Sequence, residues 1–481
     1  MRFAIIGAGM AGILAAIKLR EAGHTNITIY EKASRIGGTW RENRYPGLTC
    51  DVPAHAYTYQ FAPNPEWSSY LVGGDEIQAY FEKVVDDHDL RPLIRFNTEI
   101  TGMDWQGDHW LIETRDGQKS SAHVAIMCTG VLHHPKMPDI PGLESYEGVA
   151  MHTARWDPDL PLDSKRIGVI GSGSTGVQMV THLGKRGYDL VHFQRSPQWM
   201  MPYPNRPYSE EEKAAFRADV ANIEAIRQDP IYWANVRRFT SGIVDIDSGR
   251  MKEIEDICLN FLETAVTDPV LREKLRPDYR AACKRLIYSA DYYDVAQQAN
   301  VETITCGIDR FVAEGIVDRE GKTHALDIVA LATGFHTDRF VRPITVHGIG
   351  GCSMEEAWAE RCAAYMAISV PGFPNFFLMN GPSSPVGNFS LIDVAEQQWA
   401  YIAQLIQRAT DSNASGIVAS QRAFAAYEER RIKAAKASIF GSGCTSWYLD
   451  GTGVPITWPW DYDAFADAMK QPQFDDFDMV A

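Results

Sequence analysis

Two copies of a Gly-x-Gly-x-x-Gly motif are the residues whose types and spacing point most directly to chemistry. The copies are Gly7, Gly9 and Gly12, then Gly171, Gly173 and Gly176. In this motif the first glycine makes a tight turn, the second lets the backbone approach a pyrophosphate, and the third lets the next helix pack closely. The helix N-terminus then attracts the anion. The chain is therefore predicted to hold two dinucleotides.

The residue that ends the second strand of each unit distinguishes the two nucleotides. In the first unit this residue is Glu31, whose carboxylate would accept hydrogen bonds from ribose hydroxyls and repel a 2′-phosphate. In the second unit it is Arg195, whose planar guanidinium suits a 2′-phosphate. Either could instead be an ordinary surface charge. Together they favour FAD at the first site and NADPH, rather than NADH, at the second.

Each motif lies inside a strand–helix–strand pattern, because an apolar run precedes it and apolar residues at helical spacing follow it. The two patterns span residues 2–31 and 166–195. Two further apolar runs, 124–130 and 328–334, both end in Thr-Gly, and each is expected to close one unit. The predicted fold class is α/β, with two Rossmann-like dinucleotide-binding domains and a helical insertion in the NADP domain.

Domain boundaries follow from where these patterns begin and end. We predict a discontinuous FAD-binding domain at 1–145 plus 346–481 and an NADPH-binding domain at 146–206 plus 285–345. The charged, helix-period stretch at 207–284 is predicted to be a helical subdomain. After Gly441 the chain is expected to form loops, and the acidic end from Gln471 to Ala481 is expected to fray.

Composition and net charge restrict the classes of partner that the chain is expected to bind. The formal net charge of −16 argues against a nucleic-acid or anionic-membrane surface. A run of roughly 18 apolar residues would be needed to span a bilayer, and none occurs, so no stable membrane association is expected. The eight cysteines include no Cys-x-x-Cys pair, which predicts no metal site and no redox-active dithiol. Scattered thiols fit a reducing, cytoplasmic location.

Two segments between the glycine motifs are more specific than the motifs themselves. Residues 38–51 read GTWRENRYPGLTCD, and residues 146–157 read YEGVAMHTARWD. Both resemble signatures of the type I Baeyer–Villiger monooxygenases, which are class B flavoprotein monooxygenases. Trp156 supports this family because the related flavin-containing monooxygenases usually have Tyr or Phe there. The resemblance covers nearly the whole chain, with further matches at 194–199, 332–335 and 381–385.

The chain also departs from the family pattern. Tyr146 replaces the usual Phe, Arg41 replaces an aromatic residue expected beside the flavin, and Leu286 stands where a proline is common. After Trp447 the chain lacks the Gly-Asn and Pro-Gly-Lys that the family often has. This last departure leaves the role of Trp447 and the identity of the substrate open.

The resemblance implies a reaction with FAD, NADPH and molecular oxygen. NADPH would reduce FAD, a C4a-peroxyflavin would form, and its attack on a ketone would give an ester or lactone. The negative species of such a reaction need preorganised positive charge. Arg285 matches the family's active-site arginine, and Asp51 is placed to orient it. Each of these two could instead be an ordinary charged surface or loop residue.

The predicted cofactor contacts combine the glycine motifs with the resemblance. Those assigned to FAD are Gly7, Gly9, Met10, Ala11, Gly12, Glu31, Lys32, Gly38, Thr39, Trp40, Asp51, Tyr57 and Ile100. Those assigned to NADP are Thr49, Cys50, Gly171, Ser172, Gly173, Ser174, Thr175, Gly176, Arg195, Ser196, Lys284, Arg285 and Trp447. Cys50 is not expected to be a nucleophile, and His152 is expected to connect the domains rather than act as a base.

Other functions remain open at this point. A flavin-containing monooxygenase that oxidises sulfur or nitrogen would share the cofactors but would not need Arg285. A non-oxygenating pyridine-nucleotide flavin reductase is more remote because no cysteine pair is close in sequence, and a regulatory protein without catalysis is disfavoured by Asp51 and Arg285. The expected partner is a small-molecule ketone, with no nucleic acid, and the chain is expected to be a monomer or a homodimer.

Overall fold

The structure is a computed structural model that describes residues 1–385 and 389–480. Its strands, in chain order, are β1 (Phe3–Ile6), β2 (Ile27–Tyr30), β3 (Ile94–Arg95), β4 (Ile100–Trp105), β5 (Trp110–Thr114), β6 (Lys119–Ala122), β7 (Val124–Met127), β8 (Val149–His152), β9 (Arg166–Ile170), β10 (Asp189–Phe193), β11 (Met200–Met201), β12 (Ile287–Tyr288), β13 (Val301–Ile304), β14 (Ile308–Val312), β15 (Gly315–Asp318), β16 (Thr323–Ala325), β17 (Ile328–Leu331), β18 (Thr345–His347), β19 (Phe376–Leu378), β20 (Gly416–Ala419) and β21 (Phe477–Val480).

Its α-helices, in chain order, are α1 (Met10–Glu21), α2 (Thr39–Glu42), α3 (Gly74–Asp87), α4 (Ser174–Gly184), α5 (Glu210–Ala218), α6 (Ala221–Arg227), α7 (Pro230–Val244), α8 (Gly249–Ala265), α9 (Pro269–Lys274), α10 (Tyr292–Ala296), α11 (Met354–Ala357), α12 (Leu391–Asp411), α13 (Gln421–Ala437) and α14 (Tyr462–Lys470). Short 3-10 turns connect several of these elements.

The first nucleotide-binding unit is a five-stranded parallel sheet in the order β19-β7-β1-β2-β3. All four residues of β1 are buried. Phe3 and Ile5 share an apolar cluster with helices α1 and α12, whereas Ala4 and Ile6 share one with strands β4 and β5. Strands β2 and β7 flank β1 on opposite sides. Ile5 of β1 therefore pairs with Ile29 on one side and with Ile126 on the other. A crevice forms where strand order reverses in this way, and the first glycine turn lies there.

The second unit repeats this plan in the order β13-β10-β9-β17-β8. Its central strand β9 is flanked in parallel by β10 and β17, so Val169 pairs with both His192 and Ala330. The second glycine turn follows β9, and α4 packs on β9 and β10. Two such sheets confirm the predicted fold class. They also confirm that the runs 124–130 and 328–334 supply the closing strands β7 and β17.

The segment predicted as a helical subdomain consists largely of helices α5 to α9, and its buried residues are divided among several apolar clusters. Phe216, Ile223 and Val236 belong to the same apolar cluster as α1 and β1. Ile243 and Met251, further along, belong to a second cluster that includes Trp199 and Tyr448. The helices therefore cover the two nucleotide units. The three domain boundaries given above stay a prediction.

The end of the chain is more ordered than its composition suggests. Up to Val480 the prediction that the acidic end frays is wrong, because β21 pairs antiparallel with β20; Ala481, the last residue of that prediction, lies outside the described residues. The pairing of β21 satisfies backbone groups that a free acidic tail would leave to water. The loop prediction after Gly441 holds up to α14, which packs on α12. Within the described residues no helix is long and apolar enough to cross a membrane, and no cluster of His, Cys, Asp or Glu suits a metal ion.

Candidate active site between two nucleotide cradles

Both glycine turns open onto one cavity of about 1930 Å³. Its wall contains residues of both sheets, of α7 and of the segment after Gly441. A volume of this size lies above the roughly 300–1,000 Å³ of an ordinary small-molecule site. One space is thus large enough for two extended cofactors and a substrate beside them.

The first glycine turn forms a cradle that side chains could not fill. Gly7 has a φ of +108°, and a Cβ there would lie 2.5 Å from the carbonyl oxygen of Cys128. A Cβ on Gly12 would lie 1.9 Å from the carbonyl oxygen of Gly7. Helix α1 starts after Gly9 with no side-chain cap, so its first N–H groups are left for an anion. The cradle fits the pyrophosphate of FAD.

The second glycine turn has the same construction. Gly171 has a φ of +119°, and a Cβ there would lie 2.3 Å from the carbonyl oxygen of Ala332. A Cβ on Gly176 would lie 1.9 Å from the carbonyl oxygen of Gly171. Gly173 faces open space and leaves α4 without a side-chain cap. This turn fits the pyrophosphate of NADP.

Glu31 is buried at the end of β2 and lines the cavity. Its carboxylate accepts hydrogen bonds from the backbone N–H groups of Ala8 and Ala33, both at 2.9 Å, and from Arg41 at 3.1 Å. The backbone contacts fix the carboxylate beside the first glycine turn. Arg41 was not among the predicted contacts. The structure places its guanidinium, a donor for phosphate or ribose oxygens, where the family usually has an aromatic ring.

Trp40 and Tyr57 form an aromatic wall of the FAD side. The indole Nε1 of Trp40 donates to the Tyr57 hydroxyl at 3.1 Å, and the ring centroids are 5.6 Å apart in an edge-on arrangement. Both side chains are buried. Burial is the main cause that raises the pKa of Tyr57, so its hydroxyl stays protonated. The wall presents apolar surface and a neutral hydroxyl to a flavin ring.

Two cations meet on the NADP side. Lys284 is half-buried, and its pKa is lowered by burial and then by the nearby charge of Arg195. The Lys284 Nζ lies 4.1 Å from the ring centroid of Tyr279. Within the described residues neither Arg195 nor Lys284 makes a salt bridge. Asp278 acts on Lys284 only as a nearby charge, and two adjacent cations that no carboxylate bridges suit a 2′-phosphate.

Arg285 and Asp51 meet in the wall of the cavity. The Nη2 and Nε of Arg285 both donate to Oδ2 of Asp51, at 2.7 and 3.1 Å. Arg285 also donates a hydrogen bond to the Tyr448 hydroxyl oxygen. Burial alone would lower the pKa of Arg285, but the charge of Asp51 and the neighbouring tyrosines outweigh it, so the pKa is raised. The guanidinium therefore stays charged and held in place.

The segment that carries Asp51 is fixed against the second nucleotide unit. Gln178 on α4 accepts a hydrogen bond from the Tyr45 hydroxyl at 2.8 Å and donates one to the backbone carbonyl of Thr49 at 3.0 Å. Gly47 approaches the same helix so closely that a Cβ would lie 2.5 Å from His182. Cys50 is buried, which raises the pKa of its thiol, so a thiolate nucleophile is disfavoured.

A disulfide joins Cys283 to Cys444, where scattered thiols were expected. The expectation was wrong for this pair because the residues lie 161 positions apart in sequence, while folding brings their Cα atoms to 6.2 Å. The bond ties the backbone before Lys284 and Arg285 to the segment that carries Trp447 and Tyr448. The remaining six cysteines are free.

His152 lies where a connecting role, rather than catalysis, was expected. Its Nδ1 accepts from the N–H of Ala154 at 3.1 Å, and its Nε2 contacts the carbonyl oxygen of Gly334 at 2.9 Å. Both ring nitrogens are thus engaged with backbone at the end of β8.

The structure brings nearly all predicted site residues to one cavity. Gly12 and Gly176 lie behind the turns as packing residues, and all the other predicted contacts line the wall. The sequence did not single out Arg41 or Tyr448 as contacts, although both stand at positions that depart from the family pattern. It also missed a group of tyrosines beside Arg285, for which the sequence holds no local pattern.

Comparison with known proteins agrees with this geometry. A family model described as pyridine nucleotide-disulphide oxidoreductase matches residues 4–231. An uncharacterized monooxygenase of Mycobacterium tuberculosis is 40% identical over 458 residues, 95% of this chain and 91% of that protein. A Baeyer-Villiger monooxygenase of Streptomyces coelicolor is 36% identical over 464 residues, 95% and 89% respectively. The solved complex of OTEMO with FAD and NADP superposes with a TM-score of 0.89 at 25% identity, covering 100% and 99%.

Two Rossmann-like units that face one cavity, with an acid at the first cradle and cations at the second, define a flavoprotein that uses a nicotinamide nucleotide. The similarity over almost the full chain goes further: this chain belongs to the Baeyer–Villiger monooxygenase family. It is an oxidoreductase of the monooxygenase class whose cofactors are FAD and NADP(H), with molecular oxygen as co-substrate.

Proposed function

We propose that this enzyme converts a ketone to an ester or lactone at the expense of NADPH and oxygen. The observation that carries the proposal is the Arg285–Asp51 pair in the wall of the cavity that both nucleotide cradles share. Oxidation of a sulfide or an amine creates no carbonyl adduct. Ester formation requires a fixed cation for the negative charge on the former carbonyl oxygen.

Bound FAD, once reduced by NADPH, supplies the activation of oxygen. The chain's own contribution is electrostatic. Arg285 stays protonated in any environment, and Asp51 holds its Nη2 and Nε on one side. The donors of the guanidinium that are engaged neither by Asp51 nor by the Tyr448 hydroxyl remain for an anion. A cation oriented before the reaction needs no reorganisation when charge develops.

Arg195, Lys284 and Ser196 are proposed to bind the 2′-phosphate of NADP. Their position at the carboxyl end of β10 matches the place of the second nucleotide's ribose in this fold. Glu31 occupies the equivalent place in the first unit, where its charge would repel such a phosphate. Charge thus assigns each nucleotide to its cradle.

Trp447 is proposed to cover the NADP side of the cavity. Its backbone carbonyl accepts a hydrogen bond from the Thr337 hydroxyl at 3.3 Å, and its ring centroid lies 4.2 Å from that of Tyr448 with the two planes tilted by 35°. The Cys283–Cys444 disulfide keeps this segment beside Arg285. Covering the cavity excludes water, which strengthens the electrostatic effect of Arg285.

A disulfide reductase would need its sulfurs beside the flavin. Among the described residues neither Cys283 nor Cys444 lines the cavity, and both belong to an apolar cluster behind it. The deciding experiment is a panel of ketones and sulfides with the purified FAD enzyme, with products identified by mass spectrometry. We expect ketone-dependent NADPH oxidation and an ester. Efficient sulfoxidation without any ester would favour the flavin-containing monooxygenase alternative instead.

A further inference from the structure

Four tyrosines surround the part of the cavity next to Arg285. Tyr70, Tyr203, Tyr232 and Tyr288 all line the cavity, and they come from four separate stretches of the chain. The rings of Tyr70 and Tyr203 have centroids 5.7 Å apart, and those of Tyr203 and Tyr288 are 5.7 Å apart and perpendicular. We call these four residues the tyrosine group.

The tyrosine group begins at the proposed catalytic cation. Tyr288 interacts electrostatically with both Arg285 and Asp51. Tyr232, on α7, interacts with Tyr70 and Tyr288. The rings therefore form a row that starts beside Arg285 with Tyr288 and continues through Tyr203 to Tyr70. The row is about two ring widths long. A substrate whose carbonyl lies at Arg285 would place the rest of its skeleton along these rings.

The hydroxyls of the tyrosine group indicate the kind of ligand more directly than the rings do. Ring packing would be served equally well by phenylalanine, which carries no polar atom to satisfy. The Tyr203 hydroxyl is hydrogen-bonded to that of Tyr70. In contrast, no hydrogen bond to another protein group is seen for the hydroxyls of Tyr232 and Tyr288 across residues 1–385 and 389–480, and both residues line the cavity. Hydroxyls on a cavity wall are open to water or to a polar group of a bound ligand.

These hydroxyls are donors. Burial is the main reason why the pKa of Tyr288 is raised to about 12. Burial likewise raises the pKa of Tyr232. Both hydroxyls are therefore protonated at neutral pH. A ketone whose remaining skeleton is hydrocarbon would cover these hydroxyls without accepting a hydrogen bond from them. A second oxygen atom on the substrate would accept one.

We propose that the tyrosine group selects ketones that carry a second oxygen function, such as a hydroxyl, ether or further carbonyl, one to two ring widths from the reacting carbonyl. This inference rests on the proposed ketone oxygenation and names its substrate class. Sites built to hydrogen-bond a substrate discriminate strongly against analogues without the bonding group, because their own polar groups are then left without a partner.

The test uses two ketones with the same carbon skeleton, 4-(4-hydroxyphenyl)butan-2-one and 4-phenylbutan-2-one. With the FAD enzyme and NADPH we expect kcat/KM to be about tenfold or more higher for the hydroxylated ketone. In Y232F and Y288F, and above all in the double variant, the ratio of the two values should fall toward one, whatever happens to the absolute rates. Y188F, which removes the hydroxyl of a tyrosine that does not line the cavity, should keep the wild-type ratio.

A binding measurement separates this inference from the proposed reaction. Calorimetric titration of both ketones into the oxidised enzyme with NADP should show tighter binding of the hydroxylated one, and the preference should be lost in the double variant. If this holds but no ester forms, the proposed reaction fails while the selectivity stands. Equal binding and equal kcat/KM for both ketones, or a preference that survives in the double variant, would overturn the inference.

Discussion

Arg285 donates two hydrogen bonds to a single oxygen of Asp51, although the two residues are 234 positions apart in sequence. The bonds use only the Nε and Nη2 side of the guanidinium. The opposite side therefore points its donors away from Asp51, and the charge is fixed in direction as well as in position. Such an arrangement suits a site that must hold a transient anion.

Replacing Arg285 by alanine should separate the two halves of the reaction. R285A is expected to keep NADPH-dependent flavin reduction, measured in anaerobic stopped flow, because the cradles are intact. Ester formation should fall by roughly 10²–10³ because the cation for the anion is gone. R285K, which keeps the charge but not the fork, should lie between the two. Normal ester formation by R285A would contradict the role assigned here.

Asp51 should act through Arg285. D51N keeps an oxygen that accepts from the guanidinium but removes the negative charge, so ester formation should fall about ten- to hundredfold. NADPH oxidation should continue and end in hydrogen peroxide, because oxygen activation does not need Asp51. The ratio of peroxide to ester measures this uncoupling. An unchanged ratio in D51N would show that Asp51 only supports the fold.

Arg195 should determine the choice of nucleotide. R195A is expected to raise KM for NADPH about ten- to hundredfold, since a charge-assisted contact to the phosphate is lost, and to leave KM for NADH nearly unchanged. Arg186 is an exposed arginine in the same unit that does not line the cavity, and R186A serves as the control. Equal changes for both nucleotides in R195A would rule out the 2′-phosphate contact.

The Cys283–Cys444 disulfide should be measurable and stabilising. Unfolded, unreduced protein should show six reactive thiols; eight would mean that the bond is absent. Removing the bond in C444S should cost about 2–4 kcal/mol, because the bond restricts the unfolded chain. C352S, at a free cysteine, is the matched control. Thermal unfolding of the holoenzymes with and without a reducing agent gives the comparison.

Glu396 should make stability depend on pH. Burial raises its pKa from 4.5 to about 7, despite a hydrogen bond from the backbone of Gln60. Between these values the folded protein keeps a proton that the unfolded chain has released. Its contribution to stability is therefore full below pH 4.5 and is lost as pH rises through 7, a difference of about 3 kcal/mol.

The variant E396Q should remove this dependence. Its melting temperature should match that of the wild type near pH 5 and exceed it at pH 8, because glutamine has no charge to bury. E429Q, at an exposed position of α13, should shift neither value. A wild type that is as stable as E396Q at pH 8 would show that Glu396 ionises inside the fold without cost.

Local sequence rules account for the framework. The glycine turns, the strands around them and the contrast between Glu31 and Arg195 depend on backbone sterics and on the charge of single residues, which a short window contains. The two Rossmann-like sheets follow from these patterns. The assignment of individual residues to FAD and NADP follows partly from them and partly from resemblance, and it stays a prediction that the variants above test.

The sequence by itself thus determined the fold class, the two cradles and the kind of cofactor expected at each. Four contacts were decided by the tertiary structure alone. Asp51 accepts hydrogen bonds from Arg285, and Cys283 forms a disulfide with Cys444. Four tyrosines line the cavity next to Arg285, and β21 pairs with β20. The physical reason is that these contacts join residues far apart in the chain. They form only when packing of the two units has closed long loops, and no local propensity encodes which distant partner a side chain or strand edge will meet.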